Sequence, residues 1–208
     1  MSSVTLDLNG YTDLPDEKVA LVVTFLEMTA PPVAPLAGER QDVTLERWVA
    51  PDAVDYKRLF REIGEDWLWC GRLMLGDDRL KTVLAAPGNE IYTPVINGRQ
   101  MGLLEIDYAD PENPELAYFG LVPSAVGTGL GRWLMQQAMA MVWSRPQTKR
   151  FWLHTCTSDS PQAIGFYCSC GFKPYKRAIE VMDDPRATGL LGKDKGPHVP
   201  YLASPNQA

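Results

Sequence analysis

Three glycines in alternation, Gly127, Gly129 and Gly131, separate two runs of different pattern. Leu116 to Val122 is apolar and aromatic and reads as a strand, which Pro123 stops. Leu130, Trp133, Leu134, Ala138, Met141 and Val142 recur at spacings of three and four and read as a helix, which Pro146 ends. Strand, glycine loop and helix in that order make a main-chain anion site. The first N–H groups of a helix have no acceptor within it. Its aligned peptide dipoles place about half a positive charge at that end. Glycine lets the loop turn tightly and lets an anion approach the backbone. The expected ligand is a phosphate or oxyanion on the N–H groups of residues 127–132. Arg132 adds charge to that cradle or lies on the helix surface. The dinucleotide fingerprint needs a third glycine at 132, where the chain has Arg132, and no lysine follows the last glycine as the Walker loop requires.

Other side chains have chemistry to offer. Glu115 opens the central strand, and Glu105 alternates with Leu103 and Asp107 on a neighbouring one, a pattern that suggests an exposed face. His154 is a lone strand histidine, a type more often packed or hydrogen-bonded than reactive, and His198 lies in the tail. Gly120, inside the central strand, suggests a bulge or a close backbone approach. Trp67 and Trp69, near Arg72, form an aromatic pair that binds a cation or an apolar group, or packs in the core. The four cysteines form neither a Cys-x-x-Cys pair nor a zinc pattern, so they are expected to be reduced thiols, with no metal bound.

The 208 residues suffice for one substantial core. A net charge of −6 argues against a nucleic-acid partner, which needs a basic face. No apolar run is long enough to span a bilayer and no signal pattern opens the chain, so no membrane association and a cytoplasmic location are the expectation.

Those residues need elements to position them. Val19 to Met28 is rich in β-branched residues and reads as a strand. Ala30 to Gly38, with three prolines, is irregular. Val43 to Val49 is a strand, and Pro51 and Asp52 start a helix whose stripe is Val54, Leu59, Phe60 and Ile63. Asp78 to Ala85 is a short helix. Ile91 to Ile96 and Met101 to Tyr108 flank Asn97-Gly98, the strongest hairpin signal in the chain. Phe151 to Thr155 is a strand parallel to the central one, because a helix separates them. A helix over Pro161 to Cys170 stops at Gly171, and Phe172 to Met182 is a strand. Residues 183–208, rich in Pro, Gly and charge, pack as a long loop or fray.

LVPSAVGTGLGRWLM resembles motif A of the GCN5-related N-acetyltransferases, with Leu121, Pro123, Gly127, Gly129, Gly131 and Leu134 on pattern positions and Val126 where Arg or Gln is usual. SPQAIGFYCSCGF resembles motif B through Ala163, Tyr167, Gly171 and Phe172, with Ser160 where Asn is common. The resemblance covers roughly residues 43–182. It implies an α/β fold: a mixed, mostly antiparallel central sheet with one splayed parallel strand pair and helices on both faces. Residues 1–42 would be an N-terminal extension whose extra strand could mediate a homodimer. Residues 183–208 would be a tail, of which 197–202 supplies the last strand. The implied function is N-acetyl transfer from acetyl-CoA to a primary amine by direct attack. Tyr167 would be the general acid beside the sulfur and Glu115 the base, with Glu105 its competitor. Leu121 and Val122 would pair with the pantetheine arm, and Gly127, Thr128, Gly129, Leu130, Gly131, Arg132 and Ser160 would bind the cofactor. Trp67, Trp69, Arg72 and Glu105 would line the acceptor site. The rival readings are a CoA-binding module without catalysis, favoured by Val126 and Ser160, and a nucleotide-binding oxidoreductase.

Overall fold

A computed structural model describes residues 5–32 and 40–202; the expected irregular link falls largely on 33–39, outside the described residues. Strand β1 is Lys18–Met28 and β2 is Thr44–Arg47. Helix α1, Ala53–Gly64, begins where the Asp52 carboxylate accepts the Val54 N–H, and it buries Tyr56, Leu59, Phe60 and Ile63 along one stripe. Helix α2 is Asp77–Leu84. Strands β3 (Asn89–Ile96), β4 (Arg99–Gln100) and β5 (Gly102–Asp107) follow. Asn97 and Gly98 both take positive φ between them, 50° and 75°, the signature of the type I′ turn that dipeptide favours. Then come β6 (Glu115–Leu121), α3 (Leu130–Trp143), β7 (Phe151–Cys156), α4 (Ala163–Ser169) and β8 (Lys173–Asp183).

One eight-stranded sheet holds the described strands in the order β2-β3-β5-β6-β7-β1-β8, with β4 on β3. Every pairing is antiparallel except β6 with β7. The helices cover both faces. Side chains alternate along a strand, so Tyr118 and Gly120 of β6 meet Trp69 and Ile63 on the α1 face, whereas Phe119 stacks on Phe166 of α4 on the other.

β1 is not an appendage. It pairs with β7 from Val23↔Cys156 to Met28↔Phe151 and with β8 from Lys18↔Asp183 to Glu27↔Lys173. Leu26 is fully buried there, a burial that stabilises by roughly 1.5–3 kcal/mol. β7 flanks β1 along Val23–Met28 and β8 along Lys18–Glu27, and 197–202 forms no strand. The tail is nonetheless ordered as far as 202. Buried Arg186 pairs with Asp184 and donates to the carbonyls of Lys195, Gly196 and Val199. Lys195 reaches Glu65 and Asp66, and His198 donates from Nε2 to the Ser158 carbonyl at 2.7 Å while its ring lies 5.4 Å from Trp67. The tail thereby ties the α1–α2 link to the β7–α4 loop.

Candidate active site

The parallel pair sets the site. β6 and β7 are in register only at Glu115↔Trp152, with the Trp152 N–H on the Pro114 carbonyl, and then they part. A bulge helps to separate them. Ile106 pairs with Leu116 and Glu105 with Tyr118, so Ala117 is the extra residue. Of the two readings of Gly120, a bulge or a close backbone approach, the bulge lies instead at Ala117. Gly120 has a different role: a Cβ there would lie 2.4 Å from Ile63 Cγ2 and 2.9 Å from the Trp69 ring, so its lack of a side chain lets α1 and Trp69 sit against the sheet.

A cavity of about 690 Å³ lies at the gap, with wall residues from both faces of the sheet. On the α3–α4 face its wall includes Leu121, Gly127, Gly129, Gly131, Arg132 and Tyr167. Gly127 and Gly129 have φ of 80° and 81°, a left-handed backbone that favours glycine. Gly129, which precedes α3, has no side chain to cap it, and the Thr128 hydroxyl accepts only the Leu130 N–H, at 3.4 Å; the N–H groups of Gly127, Thr128, Gly129, Gly131 and Arg132 have no acceptor among the described residues. Among the described residues, chain neighbours aside, no atom lies within 4 Å of a Cβ built on Gly127 or Gly129. These features fit the diphosphate of an acyl-CoA. Thr128 works from behind the loop, its hydroxyl on the Ala125 carbonyl at 2.8 Å, and Leu130 is buried, so its side chain is unavailable. Arg132 crosses to α4, where it donates to Ser169 Oγ at 2.8 Å. Val126 projects from the loop 65% exposed and brings no polar group. Ser160 lines the cavity where the chain enters α4, bonded to Gln162.

The Val122 expectation needs correction. Its N–H is bonded to the Met101 carbonyl at 3.0 Å and its side chain is fully buried, so it cannot offer that N–H to an arm in the gap. Successive strand residues present their main chain to opposite edges. Leu121 and Phe119 consequently face the gap, and they are the residues that can pair with an arm lying there.

Tyr167 lines the cavity between Phe119, Phe166 and Phe172, and its hydroxyl makes no hydrogen bond among the described residues. Burial is the main cause that pushes its pKa well above that of an ordinary phenol. It is a protonated donor with its hydrogen unassigned.

Glu115 does not line the cavity itself; it is hydrogen-bonded to a residue that does. His154 Nδ1 lies 3.1 Å from Glu115 Oε1, and His154 is on the cavity wall. The hydrogen bond to Glu115 raises the His154 pKa above the usual imidazole range, outweighing burial. The two residues are far apart in sequence, and only the β6–β7 register brings them together, so no local pattern marked His154.

Glu105 is wholly buried, not exposed as its alternation suggested. It accepts from the Tyr56 hydroxyl at 2.5 Å and pairs with Arg72, whose guanidinium lies 5.0 Å from the Tyr118 ring centre. Leu103, two residues earlier on the same face, is buried as well, because α1 covers both. Neither Glu105 nor Arg72 reaches the cavity; together they fasten α1 and its following link to β5. Trp67 and Trp69 do line it. Trp69 also packs against Phe60 and Tyr118, and its Nε1 donates to Asp159 Oδ1 at 3.0 Å, joining the two walls of the gap.

The model of the Acetyltransferase (GNAT) family matches residues 52–172, more than half of the chain. The chain belongs to the GNAT acetyltransferase family. The sequence matches no curated protein. Among solved structures, the GNAT fold is shared with a putative GNAT acetyltransferase from Novosphingobium aromaticivorans, at 15% identity and TM-score 0.55 over 83% of this chain and 69% of that one. An acetyltransferase from Thermus thermophilus aligns at 18% identity and TM-score 0.52, over 67% of this chain and 96% of that one. A functionally unknown conserved protein from Staphylococcus epidermidis aligns at 13% identity and TM-score 0.55; 80% of this chain covers 63% of it, less than two thirds of its length. Among the described residues, no helix is long and apolar enough to cross a membrane.

Proposed function

We propose that this GNAT protein is an N-acetyltransferase that moves acetyl from acetyl-CoA to a primary amine by direct attack. The observation that carries this reading is the cavity through the sheet. It joins a cradle of unpaired N–H groups on one face to the Glu115–His154 pair on the other, with Tyr167 on its wall. The thioester would arrive from the α3–α4 face and the amine from the α1–α2 face.

The steps balance as follows. The amine, cationic in water, gives one proton to His154 Nε2, while Glu115 holds Nδ1 and supports the imidazolium charge. The nitrogen lone pair attacks the thioester carbonyl carbon, and an N–H turned into the gap from Phe119 or Leu121 stabilises the oxyanion. The C–S bond breaks, the thiolate takes the Tyr167 proton, and an amide and CoA thiol leave. The second proton lost by the nitrogen restores Tyr167 through solvent, and His154 gives up its own before the next turnover. Two cysteines line the cavity, but burial pushes the Cys70 thiol up to about 11 and raises Cys156 as well. Both are neutral thiols at pH 7, which favours direct attack over an acyl-cysteine intermediate.

The exposed, apolar Val126 favours a second reading, a CoA-binding module without turnover. Mixing the protein with acetyl-CoA and a panel of primary amines separates the two. Release of free thiol that requires both protein and amine is expected. Acetyl-CoA binding without release from any amine would select the binding module.

A further inference from the structure

The α1–α2 face of the cavity has a lining that discriminates among amines; naming that preference rests on the acetyl-transfer reading above. Its walls come from four parts of the chain: Leu21 on β1, Cys156 on β7, Met182 on β8, and Leu68, Cys70 and Met74 from the α1–α2 link. These are apolar. Two carboxylates and a histidine join them: Asp159, Glu180 and His154. His154 is bonded to Glu115. Asp159 is saturated, since it accepts from Trp69 Nε1, Thr155 Oγ1 and the Cys156 N–H. Glu180 is different. It lies opposite Leu21 on the exposed strand β8 and has no hydrogen-bond or ion-pair partner among the described residues. It shares the cavity wall with Cys70 and His154.

No Lys or Arg of the described lining answers these carboxylates. The one Lys or Arg side chain in the described lining is Arg132, which is on the other face and bonded to Ser169. Arg72, next in sequence to the lining residue Gly71, is committed to Glu105. An acceptor carrying its own carboxylate or phosphate would meet Glu180 with no Lys or Arg on that face of the described lining to neutralise it. An ammonium group is drawn in by Glu180, and an apolar body behind it displaces water from Leu21, Leu68, Met74 and Met182.

We propose that the acceptor is an alkyl or arylalkyl monoamine with no anionic group, and that Glu180 is the residue that selects for it. Glu180 draws the ammonium to the mouth, and the Glu115–His154 pair then takes the proton. The selectivity comes from repulsion between Glu180 and an anionic acceptor, so each amine should outperform the amino acid of the same skeleton by roughly 100-fold or more in kcat/KM.

The experiment compares thiol release from acetyl-CoA with 2-phenylethylamine against phenylalanine, and with pentylamine against norleucine. The expected result is turnover with both amines and little with either amino acid. Glu180→Gln should raise KM for 2-phenylethylamine far more than it lowers kcat, and Glu180→Lys should bring phenylalanine to within about tenfold of the amine. Glu180 is exposed on an edge strand, so both variants are expected to keep the wild-type melting temperature. Equal or better use of phenylalanine, or an unchanged KM in Glu180→Gln, overturns this assignment and leaves acetyl transfer standing. Failure of every amine, with acetyl-CoA still bound, overturns acetyl transfer and this assignment with it.

Discussion

Tyr167→Phe is expected to lower kcat by about 10²–10⁴-fold, the range for loss of a positioned general acid. The ring remains, and with it the contacts to Phe119, Phe166 and Phe172 at centroid distances of 6.3, 5.5 and 6.2 Å. Only a hydroxyl with no partner inside the protein is removed, so stability should change by no more than about 0.5 kcal/mol. KM for acetyl-CoA should move little, because the proposed diphosphate site is the glycine loop. Burial keeps this phenol protonated throughout the working pH range, so its acid limb lies above any accessible pH. Steady-state rates alongside a thermal melt make the check. A kcat within about threefold of wild type would mean that Tyr167 only packs and that solvent protonates the thiolate.

The second large effect belongs to His154. His154→Ala should cost about 10²–10⁴-fold in kcat/KM near neutral pH, where the imidazole accepts the amine proton. The pH profile carries the sharper test. His154 must be neutral to act, and the Glu115 carboxylate raises its pKa above the usual imidazole range. Activity therefore rises with pH through that raised value and levels off above it. In Glu115→Gln the cause of the shift is gone, so the inflection should move to lower pH while the plateau drops. The stability sign is opposite. A folded-state pKa above the unfolded one stabilises fully at pH below the unfolded value, and that stabilisation is lost as pH rises through the folded value. The His154 side chain is 46% exposed, so this contribution is small beside the catalytic one. A profile that ignores Glu115→Gln would assign proton removal to water or to another group.

Local chemistry made much of this molecule legible in its sequence. Pro51 and Asp52 announced α1, Asn97-Gly98 announced the hairpin, and the spaced glycines announced the loop before α3, because each effect acts within a few residues. What escaped depends on partners distant in the chain. Val19 to Met28 reads as a strand from its own residues, but nothing in it shows that β7 and β8 lie on either side. Glu105 alternates like a surface residue until α1 and Arg72 cover it. The bulge at Ala117 rather than Gly120 is a matter of register with β5, and Gly120 answers to the bulk of Ile63 and Trp69. The Glu115–His154 contact likewise exists only because β6 and β7 pair at one point. The tail's composition left a packed loop and fraying both open, and a single buried arginine gathers the carbonyls of Lys195, Gly196 and Val199.

The diphosphate is the feature on which the remaining assignments depend, and calorimetric titration tests it most directly. Acetyl-CoA and S-acetylpantetheine carry the same thioester and arm, but only the former has the diphosphate. If the N–H groups of Gly127 to Arg132 hold it, each charge-assisted bond is worth about 1.5–3 kcal/mol, and the truncated thioester should bind at least about 100-fold more weakly. Equal affinity for the two would show that the glycine loop does not grip a phosphate, and would contradict the account.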